Sequence, residues 1–600
     1  SAQRWEVVGG GEGGILVRLG RDLKSPEAPS RLARGARLVE VEREGERIHY
    51  RKLEGDGPLY GWVSLKVKGK DLLAPDTSPG PEVVPKPDSM VVWVYFQGTR
   101  GDAQPYIALG LGLKRAGMDV KLIGPSTYAD FATKLGVEYA GFNDGTVQDQ
   151  LQSSQMTLLT LLVMEPKKPK VLVHSHGGGA IGYACWKRYA TIPILANMGT
   201  EPFREREERQ QMHQLFSIFD VITTKQFLRI SPTAELTLEE FMERQQSPGQ
   251  LMATSPYITM LWDPEQMQKA QHYNYTGYWT LDEKDMGDSS LFGDTMKLVK
   301  DFLGKGEPPV YMGWGSMITE RFHMILVAVG SLMKAGKRGI ITAGWADLNI
   351  DYLKEAVRFM TEAANSPEDA QILIAGDLRV PAKDLVEAAT TIVGSIEALS
   401  GLVEYAESNI LFIKSAQHEW LFPRCCCTVH HGGAGTTAVS LRAGVPLVVT
   451  PIMMDQFDCA RWIPIVGVGA STGFFGSISA DELGGKLQEV LSSDDIKARA
   501  KEMGKVVKKE HGVASAVAHI KDILELQVMT GEAQQRWKVE KAEEKKGSVG
   551  AKKKLHGLEN FNLREFIDNI KKTTGGAQMS GDTGGPDVDQ LEKLLQEAMA

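Results

Sequence analysis

The sequence predicts an α/β protein with two facing Rossmann-like domains that follow a small β-barrel. Three observations support this fold class. Short β-rich runs alternate with glycine clusters over the first 73 residues, a proline-rich stretch then ends that pattern, and strands separated by helices follow in two successive blocks. Strand–helix alternation is typical of parallel sheets built from βαβ units. The 600 residues also exceed what one hydrophobic core normally holds, so several folded units are expected.

Residues 1–73 are predicted to form the small barrel. The β-rich runs include Ile15–Leu19 and a closing strand, Tyr60-Gly61-Trp62-Val63, whose size and position resemble those of an SH3-type barrel. Exposed aromatic side chains on such a barrel would dock a peptide partner. The alternative is that Trp5 and Trp62 fill the barrel core, and this second interpretation is the more common outcome for aromatic residues in short strands.

Residues 74–88 contain five prolines and are predicted to form a semi-rigid linker, because proline fixes the backbone and removes a hydrogen-bond donor. The domains that follow are predicted at 89–285 and 307–527, joined by a polar, glycine-containing hinge at 286–306. Residues 528–600 form a charged tail that is predicted to be partly disordered, since it is rich in Lys and Glu and poor in apolar residues.

The composition limits the classes of partner. A net charge of −8 gives no overall attraction for nucleic acid, so no nucleic-acid partner is expected. No stretch approaches the roughly 20 apolar residues needed to span a bilayer, and we expect a cytoplasmic protein. Lys552, Lys553 and Lys554 leave transient peripheral contact with a membrane open. Of the five cysteines, three are consecutive and cannot all face one metal ion, so no metal site is predicted.

The most informative segment runs from Val429 to Thr437, between a predicted strand and a predicted helix, and contains His430-His431-Gly432-Gly433-Ala434-Gly435. Glycines allow backbone amides to approach phosphate oxygens, and a helix N-terminus adds positive potential. A plain glycine turn is the alternative. Asp455-Gln456 favours the diphosphate interpretation, because these residues follow the predicted strand Leu447–Thr450 at the edge where parallel sheets bind ligands.

These residues, together with Leu441-Arg442-Ala443-Gly444-Val445-Pro446, resemble the donor signature of the UDP-glycosyltransferases. The resemblance extends to sterol 3-beta-glucosyltransferases and to the transferases of glycopeptide antibiotics. Three further stretches agree with it, namely Gly98–Asp102, Tyr311–Ser316 and Trp420–Pro423. The resemblance implies a GT-B fold, in which a C-terminal domain holds a UDP-sugar and an N-terminal domain holds the acceptor.

The resemblance also implies roles for individual residues. The diphosphate would be held by His431, Gly433, Gly435, Thr436 and Thr437, with Ser316 touching it from a neighbouring loop. His418 matches the position that contacts the base, and Asp455 and Gln456 match those that hold the sugar. The aromatic platform of plant relatives falls at Ser415, which cannot stack on uracil. No cofactor is implied, because the UDP-sugar is a substrate.

Asp102 matches the proposed catalytic base of the antibiotic and sterol branches. A carboxylate is a weak base toward a free alcohol, so the proton would move late, as the oxygen bonds to the anomeric carbon. The alternative role for Asp102 is to cap the N-terminus of the helix that it begins. The catalytic interpretation rests on the resemblance.

The function implied is metal-independent transfer of a hexose, most simply glucose, with inversion from a UDP-sugar to a sterol or another small hydrophobic hydroxyl acceptor. Two alternatives remain open. The acceptor could be a polyketide or other secondary metabolite, or the chain could be a non-catalytic adaptor that binds nucleotide-sugar. The acceptor half departs from sterol transferases, since Asn197–Pro202 stands where they carry Met-Pro-Trp, and the segment 348–407 is an insertion.

Overall fold

A computed structural model describes most of the two Rossmann-like regions and the N-terminal sheet. The described residues are 3–18, 23, 27–28, 31–58, 60–76, 90–143, 154, 157–158, 161, 165–175, 182, 185–186, 189–198, 250–262, 273–281, 285, 293–374, 378–453 and 455–547. Most of the predicted linker and the tail beyond Gly547, which includes the three lysines at 552–554, lie outside them.

The N-terminal region is an antiparallel β-domain. Its strands are β1 (Arg4–Val7), β2 (Arg37–Glu44), β3 (Arg47–Glu54), β4 (Tyr60–Ser64), β5 (Lys66–Val67), β6 (Lys70–Asp71) and β7 (Leu73–Pro75). Five strands form a sheet in the order β4-β3-β2-β1-β7, and β5 pairs with β6. The predicted strand Ile15–Leu19 is replaced by isolated bridges from Ile15 and Arg18, one of which joins Arg18 to Trp62. Trp5 and Trp62 are buried, so both fill the core.

The second region is a seven-stranded parallel sheet. Its strands are β8 (Val91–Tyr95), β9 (Asp119–Pro125), β10 (Glu138–Phe142), β11 (Val171–His174), β12 (Ile192–Asn197), β13 (Gln250–Met252) and β14 (Tyr273–Tyr275), in the order β10-β9-β8-β11-β12-β13-β14. Its described helices are α1 (Arg100–Arg115), α2 (Ala129–Lys134) and α3 (Pro256–Trp262). Both faces of the central strands are buried, as their continuous apolar sequences require.

The third region is a second parallel sheet with an added hairpin. Its strands are β15 (Val310–Gly313), β16 (Gly339–Thr342), β17 (Gln371–Ile374), β18 (Leu378–Pro381), β19 (Ile410–Ile413), β20 (Cys427–His430), β21 (Leu447–Val449) and β22 (Gly469–Ser471). Six of them form the sheet β19-β16-β15-β20-β21-β22, and β17 pairs with β18. The two parallel sheets confirm the predicted α/β architecture.

Ten helices between residues 293 and 507 flank this sheet within the described part of the chain. They are α4 (Gly293–Leu303), α5 (Arg321–Ala335), α6 (Ile350–Ala364), α7 (Ala382–Val393), α8 (Leu402–Asn409), α9 (His418–Leu421), α10 (Ala434–Ala443), α11 (Gln456–Val466), α12 (Ala480–Ser492) and α13 (Asp494–Val507). The segment 348–407 therefore supplies three helices and the hairpin, and its buried residues join the main core of the region.

The segment 286–306 differs from the predicted hinge, because most of its described part is helix α4. Met296 and Val299 are buried, and Val299 packs with Tyr311 and Ile340 of the third region. The apolar residues of this segment lie at helical spacing among many polar ones, and this spacing is the sequence signal for a helix.

The chain returns to the second region at its C-terminal end, through α14 (Gly512–Ile523), a π-helical turn (Leu524–Met529) and α15 (Glu532–Gly547). Ala516 and Ile520 are buried in the core of the second region. A Cβ atom on Gly112 of α1 would overlap Val513, so the two helices pack closely. This corrects the predicted boundary at 527, because residues from 512 onward complete the earlier domain.

Among the described residues, no single helix is both long enough and apolar enough to cross a membrane. One pair of consecutive helical segments is long and apolar enough to cross a membrane only when the two are counted together, namely Ala382–Val393 and Glu397–Asn409. The angle between these two segments is 68°.

Candidate active site

The predicted donor residues lie at the carboxyl edge of the second parallel sheet. The strand order reverses between β15 and β20, and open parallel sheets bind ligands at such a switch point. Gly313 of β15 pairs with His430 of β20, so the loops after the two strands begin side by side. A Cβ atom built on Gly315 would lie 3.9 Å from His431 Cε1. The loop that carries Ser316 therefore lies beside the predicted diphosphate loop.

The first histidine of this loop, His430, is structural. It is fully buried at the end of β20, where Gly432 N–H donates to His430 Nδ1 at 3.1 Å and His430 Nε2 lies 3.3 Å from Ser440 Oγ. Burial, followed by the neighbouring His431 and His418, holds the pKa of His430 well below its usual range. The ring is neutral, accepts from the loop and fixes its turn.

The second histidine, His431, faces the candidate site. Burial lowers the pKa of His431 to about 4, so the imidazole is neutral at pH 7. Its Nδ1 atom is buried and has no hydrogen-bond partner among the described residues. Buried polar atoms in native proteins are nearly always paired, and an orphan at a predicted ligand site is consistent with a partner supplied by the ligand.

The glycines after His431 lead into helix α10. Gly433 is the N-cap of α10 and supplies no side-chain cap, so the first amides of the helix are available to an anion. The Thr437 hydroxyl donates to the Gly433 carbonyl at 2.9 Å and lies 3.5 Å from Cys459 Sγ. Thr437 thus stabilises the first turn of the helix, while Thr436 remains partly exposed.

The predicted base contact, His418, begins helix α9. His418 Nε2 lies 2.8 Å from the Tyr311 hydroxyl, and its ring stacks on Phe422 with centroids 4.5 Å apart. These contacts fix the ring at the end of the loop that follows β19. Ser415 lies in the same loop and brings no aromatic surface to it.

The two predicted sugar contacts lie at the start of α11. Asp455 is its N-cap residue, and Gln456 is buried. Gln456 Oε1 accepts from the backbone N–H groups of Ile452 and Met453 at 2.9 and 3.0 Å. Its amide nitrogen lies 3.4 Å from Met317 Sδ, next to Ser316. The carbonyl oxygen of Gln456 therefore holds the loop, and its NH₂ group is directed toward the Ser316 loop.

Asp102 lies in the first turn of helix α1, and the N-cap residue is Thr99. This corrects the alternative interpretation of Asp102 as the N-cap. Asp102 Oδ2 accepts from the backbone N–H of Thr99 at 2.8 Å and from the Thr99 hydroxyl at 3.2 Å. Desolvation raises the pKa of the Asp102 carboxyl, and the Thr99 hydrogen bonds oppose the rise. Asp102 is nevertheless exposed to solvent, so an acceptor molecule can reach its carboxyl group.

The two parallel-sheet regions meet at these loops. A Cβ atom built on Gly435 would lie 2.8 Å from the carbonyl oxygen of Gly101, so the first turn of α10 is in contact with the first turn of α1. Desolvation and then the charge of Asp102 raise the pKa of Asp455 to about 6. The predicted base and a predicted sugar contact therefore interact electrostatically across the cleft.

The structure also reveals a junction residue that the sequence did not single out. Ser255 donates to Glu510 Oε1 where the end of the second region meets the C-terminal helices. Glu510 Oε2 is buried and has no hydrogen-bond partner among the described residues. In the sequence, Glu510 lies in a charged stretch and does not stand out. Its role becomes visible only from its contact with Ser255, which is 255 residues earlier in the chain.

Two family models match the chain. The model described as "Glycosyltransferase family 28 N-terminal domain" matches residues 92–177, and "Erythromycin biosynthesis protein CIII-like, C-terminal domain" matches residues 380–514. Asp102 falls in the first match. His431, Gly433, Asp455 and Gln456 fall in the second.

Curated relatives and a solved structure agree with these models. A sterol 3-beta-glucosyltransferase of Saccharomyces cerevisiae is 25% identical over 71% of this chain and 34% of its own length. Sterol 3-beta-glucosyltransferase UGT80A2 of Arabidopsis thaliana is 25% identical over 71% of this chain and 64% of its own. The chain thus spans about a third of the length of the yeast relative.

The structure of the glycotransferase of kitacinnamycin matches with a TM-score of 0.51 at 14% identity, covering 73% of this chain and 100% of that one. This likeness concerns the fold, and it agrees with the two parallel sheets that meet at the cleft. Taken with the family models and the relatives, it shows that the chain is similar to UDP-sugar-dependent glycosyltransferases and that its two parallel-sheet domains have the GT-B fold.

Proposed function

We propose that this protein transfers a hexose from a UDP-sugar to the hydroxyl group of a sterol or another lipid-like acceptor, with inversion at the anomeric carbon. One observation carries the proposal. The carboxyl of Asp102 and the diphosphate loop at Gly435 belong to different domains, yet their helix N-termini are in contact through Gly101. A base and a diphosphate site on opposite sides of one cleft are what direct displacement requires.

The reaction proceeds in one displacement. The acceptor oxygen forms a bond to the anomeric carbon while the bond from that carbon to the β-phosphate oxygen breaks. The proton of the acceptor hydroxyl passes to Asp102, and UDP departs. The raised pKa of Asp102 suits this role, because a more basic carboxylate accepts the proton more readily late in the step.

The departing diphosphate is stabilised from the donor domain. Helix α10 presents uncapped amides at Gly433 and contributes positive potential at its N-terminus. Neutral His431 donates a hydrogen bond to the diphosphate as its charge develops. Asp455 and the NH₂ group of Gln456 orient the hexose hydroxyls.

The mostly apolar lining of a small cavity where the two domains meet favours a hydrophobic acceptor, although the cavity, at about 30 Å³, is too small to hold a sterol as it stands. The lining combines Gly101 and Gly435 with side chains that are mostly apolar, including Met198, Tyr278, Trp279 and Leu281. The sterol 3-beta-glucosyltransferase names of the relatives point to the same class of acceptor.

The N-terminal β-domain is proposed to be a barrel of SH3 type with a structural role. The bridge between Arg18 and Trp62 extends hydrogen bonding beyond β4, and Trp5 and Trp62 lie inside. A peptide partner would need exposed aromatic rings, and neither tryptophan supplies one.

The activity test uses the full chain with UDP-glucose and a panel of sterols, other lipid alcohols and polyketides. Mass spectrometry detects any acceptor that gains one hexose. A sterol glycoside supports the proposal, and a product on a polyketide alone would replace the acceptor class. Tight UDP binding with no product on any acceptor would favour the adaptor alternative and contradict the enzyme.

Asp102→Asn is expected to lower kcat by about 10²–10⁴-fold, the usual contribution of a general base. Asparagine still accepts from the Thr99 N–H, so helix α1 keeps its cap and the Kd for UDP should not change. The exposed Asp130→Asn in α2 is the control and should leave both quantities unchanged. Equal turnover by Asp102→Asn and the wild type would show that Asp102 is not the general base.

A further inference from the structure

Trp345 is a conspicuously exposed aromatic residue at the rim of the donor site. Its exposed fraction is 67%, whereas its neighbours Ala346 and Leu348 are buried. The described residues make no ring stacking or cation contact with its indole. The core of the domain therefore does not require this side chain, and a large indole left in solvent is available for a ligand.

The backbone holds Trp345 next to the predicted phosphate contacts. Trp345 N–H donates to the carbonyl oxygen of Gly315 at 2.8 Å, one residue before Ser316. A Cβ atom on Gly344 would lie 2.5 Å from the same oxygen, so the loops after β15 and β16 are in close contact. Trp345 is thus fixed relative to the loop that borders His431.

The same loop adjoins the predicted base site on its other side. Thr342 of β16 pairs with Ile413 of β19, and Ala343 N–H donates to the Ile413 carbonyl at 2.8 Å. Trp345 therefore lies shortly after the end of β16, and Ser415 lies shortly after the end of the neighbouring strand β19. In an open parallel sheet, a nucleotide whose phosphates lie at the switch point extends its base along this row of strand ends.

We propose that Trp345 is the aromatic platform for the base of the nucleotide donor. It would replace the aromatic residue that plant relatives carry at the position of Ser415. This inference rests on the proposed function, since it assigns a specificity residue to the same donor site. Stacking on an indole tolerates different bases, so the platform supplies affinity. His418, fixed by Tyr311 at the adjacent loop, is positioned to provide polar discrimination.

The test compares binding of UDP and of inorganic pyrophosphate to the full chain by titration calorimetry. Trp345→Ala is expected to weaken UDP binding by about 5- to 150-fold, the range for losing one base–aromatic contact, while pyrophosphate binding stays unchanged. Trp345→Phe should restore most of the UDP affinity. Leu378→Ala, at another exposed apolar residue in the β17–β18 hairpin, is the matched control.

The outcomes separate this inference from the proposed function. If the wild type binds no UDP, the proposed donor is wrong. If the wild type binds UDP and Trp345→Ala binds it equally well, the platform is wrong and the donor stands. An equal loss of UDP and pyrophosphate affinity would indicate a displaced Gly315 loop and overturn the platform. A change confined to the acceptor KM would also overturn it, because the indole would then contact the acceptor.

Discussion

Adjacent residues of the same type have different surroundings in the proposed diphosphate loop. His430 closes β20 and uses both ring nitrogens inside the protein, whereas His431 keeps a buried nitrogen without a protein partner. The difference follows from their positions, since His430 is the last residue of β20 and His431 is the first residue of the loop after it. The His430 ring is fully buried, and the His431 ring borders the Gly315 loop.

Substitution of the two histidines should separate these roles. His431→Ala is expected to weaken UDP binding by about 10- to 100-fold, the cost of one hydrogen bond to a charged group, with little change in stability. His430→Ala should lower the free energy of unfolding by about 2–4 kcal/mol, because it empties a buried site and removes two hydrogen bonds. Calorimetric titration with UDP and chemical denaturation measure the two effects. Equal UDP affinity in His431→Ala and the wild type would exclude its predicted role.

The sequence predicts which residues could form the candidate site, but it does not predict how their side chains are oriented. The motif indicated Thr437 and Gln456 as ligand contacts, and the structure shows the Thr437 hydroxyl and the Gln456 carbonyl bonded to the protein backbone. Such bonds depend on the conformation of a single turn. Asp102 illustrates the same point, since only the backbone reveals that Thr99 is the N-cap.

At the scale of elements, the first turns of α1 and α10 make a contact that requires glycine. Gly101 and Gly435 belong to different domains, and the backbone of one lies against the other. Any side chain at Gly435 would separate the two helix ends, because its Cβ would meet a backbone oxygen that cannot rotate away. The relative position of the proposed base and the proposed diphosphate site depends on this contact.

Gly435→Ala is expected to reduce kcat by about 10²-fold, the effect of displacing reactive groups by roughly 1 Å. Alanine is favourable within a helix, so the variant should fold and keep its melting temperature. Gly485→Ala in α12 is the control, because a Cβ there would meet nothing within 4 Å. Full activity in Gly435→Ala would show that the observed contact is absent during turnover.

Strands and helices of the two sheets could be predicted well where the apolar pattern was continuous, as in β8, β15 and β20. Helix α4 is not evident from the sequence, because its few buried side chains are interspersed with charged ones. Ile15 and Arg18 form isolated bridges where the sequence predicts a strand, since a short apolar run does not show whether a partner strand lies beside it.

At the scale of the whole molecule, Glu510 lies where the chain leaves the proposed donor domain for the proposed acceptor domain. Desolvation raises the pKa of Glu510 to about 8. The hydrogen bond from Ser255 and the charge of Arg442 lower this pKa, but their effects are smaller. In the unfolded chain the same carboxyl has a pKa near 4.5. The folded protein therefore binds one proton more than the unfolded chain between these values, and stability falls as pH rises through that window.

Glu510→Gln should remove this pH dependence. The variant keeps an acceptor for Ser255 and cannot ionise, so its melting temperature should exceed that of the wild type by about 2–4 °C near pH 8.5 and match it near pH 4.5. Thermal denaturation followed across this range measures the difference, and Glu489→Gln on the exposed face of α12 is the control. A constant gap at every pH would show that ionisation of Glu510 is not the cause.

The two-domain organisation could be predicted because both domains repeat the same strand–helix pattern. The return of α14 to the acceptor domain could not, because its apolar face is equally compatible with either core. Only the close approach of Gly112 to Val513 and Val517 identifies its partner.

This return has a consequence for how the protein is made. The core of the acceptor domain includes Leu281 and then Ile520, Ile523 and Leu524, with the whole donor domain between them. A ribosome adds roughly 5–20 residues per second, so the nascent acceptor domain waits on the order of tens of seconds for its last helix. During that time its unfilled apolar groove stays open to water and to chaperones, and the later domain can complete its own core first.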